Sequence, residues 1–118
     1  MKSQLIDCRS LEAKLQSFAD ERDWNQYHSP KNLAMALTGE VGELVEIFQW
    51  LTEEQSRNVA HDPSMARAVR DEIADVLIYL VRMSSVLGID LNEAVATKLS
   101  SNAAKYPASR IEHQADAE

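Results

Sequence analysis

The chain has 118 residues, 45% of them hydrophobic, with only three glycines and three prolines. This length suits one domain and excludes a two-domain enzyme, a dinucleotide fold with a separate substrate domain, and a barrel, while the scarcity of turn residues favours helices over sheet. Nineteen acidic against twelve basic residues leave a formal charge of -7, so nucleic acid is not an expected partner and any phosphate ligand needs a positive bridge.

Cys8 is the sole cysteine. It allows neither an internal disulfide nor a CxxC metal motif, and it is expected to be inert in a reducing compartment. The opening residues MKSQLIDC lack the apolar run of a signal peptide. The most apolar stretch, Val76 to Leu80, is far too short to span a membrane. The expectation is a soluble cytoplasmic protein with no membrane partner.

In chain order, the first periodic segment runs from about Arg9 to Trp24, with Leu11, Leu15, Phe18 and Ala19 on one face at helical spacing. The stretch DERDWNQYHS then loses the period. Ser29-Pro30 restarts it, Ser29 as cap and Pro30 at the first helical position. That second helix is expected to reach about Leu51 on a spine of Leu33, Leu37, Val41, Leu44 and Phe48. Gly39 and Gly42 lie inside it, where each costs about 1 kcal/mol relative to Ala. Close approach by a neighbouring helix is the expected reason, with room for a metal or phosphate as the alternative.

Thr52 opens TEEQ, a capping-box pattern that starts a short helix to about Ala60. Asp62-Pro63 begins a long helix to about Leu87, striped by Val69, Ile73, Val76, Leu77, Leu80 and Val81. Gly88 is placed to end it. Asp90, followed by Glu93, caps a last helix to about Tyr106, stopped by Pro107. The fold class is therefore all-α, an antiparallel bundle of four main helices plus one short helix. One domain covers residues 1–118, with its core at about 10–107 and a polar, frayed tail at 108–118. The two long helices are apolar over broad arcs that so small a unit cannot cover, so self-association is expected to complete the bundle.

Glu40 and Glu43 sit three apart on one long helix, and Glu72 and Asp75 three apart on the other. Both pairs interrupt apolar stripes. Antiparallel packing would gather four carboxylates whose repulsion and desolvation a divalent cation relieves. All-oxygen ligation suits Mg²⁺ or Mn²⁺ better than zinc. A solvent-exposed acidic border is the competing reading; Asp71 is assigned to such surface, and Glu46 either to surface or to a group supporting the ligands from behind. A di-iron bundle would need ExxH pairs, and His28, His61 and His113 do not follow the key glutamates at that spacing.

Lys98, Asn102 and Lys105 share a face of the last helix, with Tyr106 next, and offer cations, an amide and a ring to a polyphosphate. Lys31 and Arg82 are further cationic candidates. Trp24 and Trp50 each lie near a helix end, suited to stacking on a base or to closing a small core. His28 is either a phosphate or base contact or a structural loop histidine.

The segment G-E-V-G-E-L at Gly39 to Leu44, followed by D-E-I-A-D-V at Asp71 to Val76, resembles the ExxE and ExxD signature of the MazG-like all-α nucleoside triphosphate pyrophosphohydrolases. FADERDWNQYHSPKNLAMALTGEVGELVEIFQW and DEIADVLIYLVRM look like the dCTP pyrophosphatase branch. The likeness covers about residues 10 to 107. It implies Mg²⁺ bound by Glu40, Glu43, Glu72 and Asp75. It also implies a nucleotide pocket using Trp24, Trp50 and Asn102 with Lys98, Lys105 and Tyr106 nearby, flanked by His28 and Lys31. The implied reaction is attack of water at the α-phosphorus of dCTP or a modified dCTP, releasing pyrophosphate, as nucleotide-pool house-cleaning. Glu43, or else Glu40, is the candidate for activating the water. Family members assemble as homodimers or homotetramers with sites built from several subunits. Leu15 stands where animal dCTP pyrophosphatases carry a histidine, which implies a different preference for the base or its 5-substituent. The alternatives are a dUTP or broad-range dNTP pyrophosphatase, a phosphoribosyl-ATP pyrophosphohydrolase, and a non-catalytic helical scaffold.

Overall fold

The computed structural model describes residues 4–108, so the expected polar tail beyond Ala108 lies outside the described residues. All regular structure within them is helical: α1 (Arg9–Arg22), α2 (Pro30–Phe48), α3 (Glu53–Arg57), α4 (Pro63–Leu87) and α5 (Leu91–Lys105), with 3-10 turns at Asn25–Tyr27 and Val59–His61. Four main helices and one short one match the expected class.

The helix starts follow from local chemistry. The Ser29 hydroxyl accepts the Asn32 N–H at 3.1 Å ahead of Pro30. Thr52 and Gln55 form the reciprocal capping box, with bonds of 3.1 and 2.9 Å. Asp62 accepts the backbone N–H groups of Ser64 and Met65 at 3.1 and 3.3 Å. Asp90 accepts that of Glu93 at 3.1 Å. These contacts satisfy donors that a helix leaves orphaned at its first turn.

Two stops share one geometry. Gly88 takes φ 71° while the Ile89 N–H returns to Ser84 at 2.8 Å, a left-handed cap that glycine adopts without strain. Asp23 does the same at φ 56°, with the Trp24 N–H donating to Ala19 at 2.9 Å. The first helix consequently ends at Arg22, short of the expected Trp24, and the reversal turns Trp24 back along α1. A non-glycine residue in this conformation costs about 1 kcal/mol. The second helix likewise ends early, at Phe48, where a tight turn lets the Leu51 N–H reach the Phe48 carbonyl at 2.9 Å.

The described residues group into two units, one spanning Cys8–Ile89 and the other containing residues 4–7 and 90–108. In the larger unit α2 packs along α4, and α1 and the second 3-10 turn also pack on α4. The long pair is antiparallel: His28, just before α2, meets Arg82 near the end of α4, while Glu40 and Glu43 meet Glu72 near its start. Ala19, Leu33, Val59 and Val81 are the buried apolar residues among those described. The expected α2 spine is thus only partly inside, since Val41 is exposed and Leu37, Leu44 and Phe48 are half-buried. Val45, Ile73, Leu77 and Leu80 are also exposed.

The glycine expectation fails within this chain. Among the described residues, a Cβ at Gly39 or Gly42 would meet no atom within 4 Å, so neither glycine is required there by a neighbour within the larger unit.

In the smaller unit the Leu5 and Ile6 N–H groups converge on Asn92 Oδ1 at 2.7 and 3.1 Å. Among the described residues, no helix is long and apolar enough to cross a membrane.

Candidate functional site

The antiparallel register of α2 and α4 brings three of the four signature acids together. One carboxylate oxygen from each of Glu40, Glu43 and Glu72 lies within 4.8 Å of the others. Asp75, half-buried one turn further along α4, stands outside this trio. Glu46 and Asp71 are exposed, as expected of surface acids.

The trio is electrostatically uncomfortable by itself. Oε1 of Glu40 and Oε1 of Glu72 are buried without a hydrogen-bond partner. While all three are ionised they have no proton to donate and cannot satisfy one another, so a shared proton or a cation is favoured. Burial first, then hydrogen bonding to and repulsion from Glu40 and Glu43, push the Glu72 carboxyl up to about 7. Three converging carboxylates, two of which carry a buried oxygen without a partner, fit a divalent cation of the Mg²⁺ type. The donor chemistry therefore suits the ion that the sequence implied.

A second cluster forms at the other end of the same helix pair. Phe18 and Trp24 meet edge to face with centroids 5.7 Å apart, and Trp24 meets His28 at 6.2 Å. Arg22 lies 3.5 Å over the Phe18 ring, a cation–π contact that steadies the far side. Trp24 keeps 43% of its surface exposed, so its indole is not consumed by the core. Trp50, just after α2, is 85% exposed. Lys31 is exposed in the first turn of α2.

Lys98, Asn102, Lys105 and Tyr106 all lie on α5 or its end, in the smaller unit, and are exposed. Lys105 Nζ stands 5.3 Å from the Tyr106 ring, and the Tyr106 N–H donates to Asn102 at 2.8 Å.

Arg82 departs from its expected role. It is only 4% exposed and spends its guanidinium on protein acceptors: Nε donates to His28 Nδ1 at 2.9 Å, one terminal nitrogen to Gln16 Oε1 at 2.8 Å, the other to Asn25 Oδ1 at 2.9 Å. It is not presented to a polyphosphate. The amides of Gln16 and Asn25 in turn donate to Asp20 at 2.9 and 2.7 Å. Those bonds, Asn25's first, hold the Asp20 carboxyl below the usual range, with the Arg82 charge a smaller help. Gln16, Asp20 and Asn25 were not anticipated from the sequence. The available signal was that Arg82 falls on the α4 face of Glu72, Asp75 and Tyr79 by three- and four-residue steps.

Helices throughout the described residues, with glutamates gathered across an antiparallel pair, define a helical bundle with an acidic cluster that could hold a cation. The chain belongs to the MazG-like family, whose sequence model matches residues 36–116. It is 46% identical over 103 residues to dCTP pyrophosphatase 1 of Bos taurus, and 46% over 104 residues to that of Homo sapiens. Those alignments take in 87% and 88% of this chain, which spans 59% of the length of each relative. A solved structure of a pyrophosphatase from Archaeoglobus fulgidus matches with a TM-score of 0.79 at 40% identity, over 91% of this chain and 98% of that one.

Proposed function

We propose that the chain is a Mg²⁺-dependent nucleoside triphosphate pyrophosphohydrolase that converts dCTP or a 5-modified dCTP, with water, to the nucleoside monophosphate and pyrophosphate. The observation that carries this reading is the convergence of Glu40, Glu43 and Glu72 with two buried, unpartnered oxygens among them. The likeness to dCTP pyrophosphatases and to a solved pyrophosphatase supports the reaction class and the substrate.

Glu40, Glu43 and Glu72 would hold the cation, with Asp75 completing the set one turn along α4. When bound, Mg²⁺ supplies charge neutralisation at the phosphate oxygens. Glu43 is the exposed member of the trio and is the group we assign to orient or deprotonate the attacking water, with Glu40 as the alternative. Attack at the α-phosphorus forms one P–O bond and breaks the bond to the bridging oxygen, and pyrophosphate leaves. Lys98 and Lys105 would offset the charge that develops on the leaving group. Trp24 and Trp50 would stack on the base, with Asn102, Tyr106, His28 and Lys31 flanking it. No protein nucleophile is required. Such pool maintenance suits a cytoplasmic protein.

The exposed apolar residues Val41, Val45, Ile73, Leu77 and Leu80 on α2 and α4 support assembly as a homodimer or homotetramer. Sedimentation or light scattering reads this directly, and a monomer at micromolar concentration would overturn it.

The activity test is a panel of canonical and 5-modified nucleoside triphosphates with Mg²⁺, resolving the products. Monophosphate plus pyrophosphate is expected. Diphosphate plus orthophosphate contradicts attack at the α-phosphorus, and no turnover supports a scaffold instead. Glu43→Gln is expected to lower kcat by about 100-fold or more with helicity unchanged. Wild-type kcat in that variant removes Glu43 from the chemistry.

A further inference from the structure

A buried arginine whose direct hydrogen bonds go to neutral side chains, with the Asp20 carboxylate bonded behind two of them, is unusual, because burying a charge is costly unless it is paired. Arg82 is such a group, and its three acceptors come from α1, the 3-10 turn after it and the residue preceding the α2 cap. These segments carry the Phe18, Trp24 and His28 cluster. Arg82 therefore ties the aromatic cluster to α4, the helix that bears Glu72. Ten residues at 1.5 Å rise place it about 15 Å along α4 from Glu72, a span on the scale of a nucleotide.

The bond to His28 also fixes a tautomer. A guanidinium nitrogen only donates, so Nδ1 must be the acceptor and the ring proton sits on Nε2. Protonating Nδ1 would set two N–H groups against each other. Burial, then the Arg82 charge, lower the His28 pKa and so favour the same neutral form. No bond engages Nε2 among the described residues, and the ring remains half-buried beside the partly exposed Trp24.

We propose that Arg82 is a positioning residue that locks His28 as a neutral Nε2–H donor beside Trp24, directed at a carbonyl acceptor on the base of a bound nucleotide. This inference rests on the nucleotide-binding reading above. It goes beyond that reading in assigning the arginine, the tautomer and the kind of atom recognised. A histidine free to tautomerise or charge would present either a donor or an acceptor. The guanidinium removes that choice.

The test uses the full chain with ¹⁵N-labelled histidine, dCMP as a base-bearing probe and 2-deoxyribose 5-phosphate as a base-free one. Wild-type His28 is expected to show the Nε2–H tautomer, and saturating dCMP, but not the sugar phosphate, to shift its Nε2 resonance. Arg82→Lys, which keeps the charge but cannot reach three acceptors, is expected to yield mixed tautomers. It should also weaken dCMP about tenfold, with sugar-phosphate affinity unchanged. An Nδ1–H tautomer in the wild type, an unmoved Nε2 signal under dCMP, or equal weakening of both probes by Arg82→Lys would overturn the proposal. The wild-type spectra decide the case alone if Arg82→Lys does not fold. Both probes bind without turnover, so a chain that shifts with dCMP yet releases no pyrophosphate refutes the proposed activity and leaves this inference standing.

Discussion

Arg82 donates its Nε proton to Nδ1 of His28 across 2.9 Å, joining residues 54 apart in sequence. The same guanidinium reaches Gln16 and Asn25, so one side chain fastens α1, the following turn and the start of α2 to α4. Truncating it would strand three acceptors in a partly buried setting. Arg82→Met should therefore lower unfolding stability by about 2–3 kcal/mol. Urea unfolding reads this as a lower midpoint at an unchanged slope. A change within about 0.5 kcal/mol would mean that solvent satisfies those acceptors without help.

Glu72 gives a pH dependence whose sign is opposite to that of a salt-bridged acid. Its folded-state pKa is about 7, above the ordinary 4.5. Between those values the folded chain holds more protons than the unfolded one, so stability falls as pH rises. Without divalent ions, the thermal midpoint should decline from pH 5 to pH 7.5. Mg²⁺ competes with the proton for the same oxygens, so its stabilising effect should grow over that range. Equal Mg²⁺ stabilisation at pH 5 and pH 7.5 would separate the cation site from this trio.

The features legible in the sequence are those that depend on neighbours along the chain. Ser29, Thr52, Asp62 and Asp90 cap helices because a side-chain oxygen needs only a backbone N–H two or three residues on. Glu40 and Glu43 were readable as one face for the same local reason. Their meeting with Glu72 followed from pairing two long amphipathic helices. The Arg82 network was not readable, since its partners lie 54 to 66 residues away and each is an ordinary polar residue by itself. Asp23 was missed because a left-handed cap is usually announced by glycine.

Gly39 and Gly42 invite a stabilising change. Both lie within α2, and a Cβ at either meets nothing within 4 Å. Glycine inside a helix is less favourable than alanine by about 1 kcal/mol, so Gly39→Ala should raise stability by about that amount. Urea unfolding and light scattering on the same samples check it. A loss of stability together with a smaller assembly would show that a second copy packs against α2 at this point.

Trp50 offers a separation of binding from folding. It is 85% exposed, so its ring adds little to the core of this chain, and surface substitutions of this kind usually change stability by less than about 0.5 kcal/mol. If the indole stacks on the base of the proposed substrate, Trp50→Ala forfeits about 1–3 kcal/mol of stacking, or about 5- to 150-fold in KM. The base stacks in both the ground state and the transition state, so the loss should appear in KM with kcat held. Steady-state kinetics with dCTP, alongside thermal melts, measure both quantities on one preparation. A KM unchanged from wild type would remove Trp50 from the pocket. A large drop in thermal midpoint would show instead that the indole is buried against another copy of the chain.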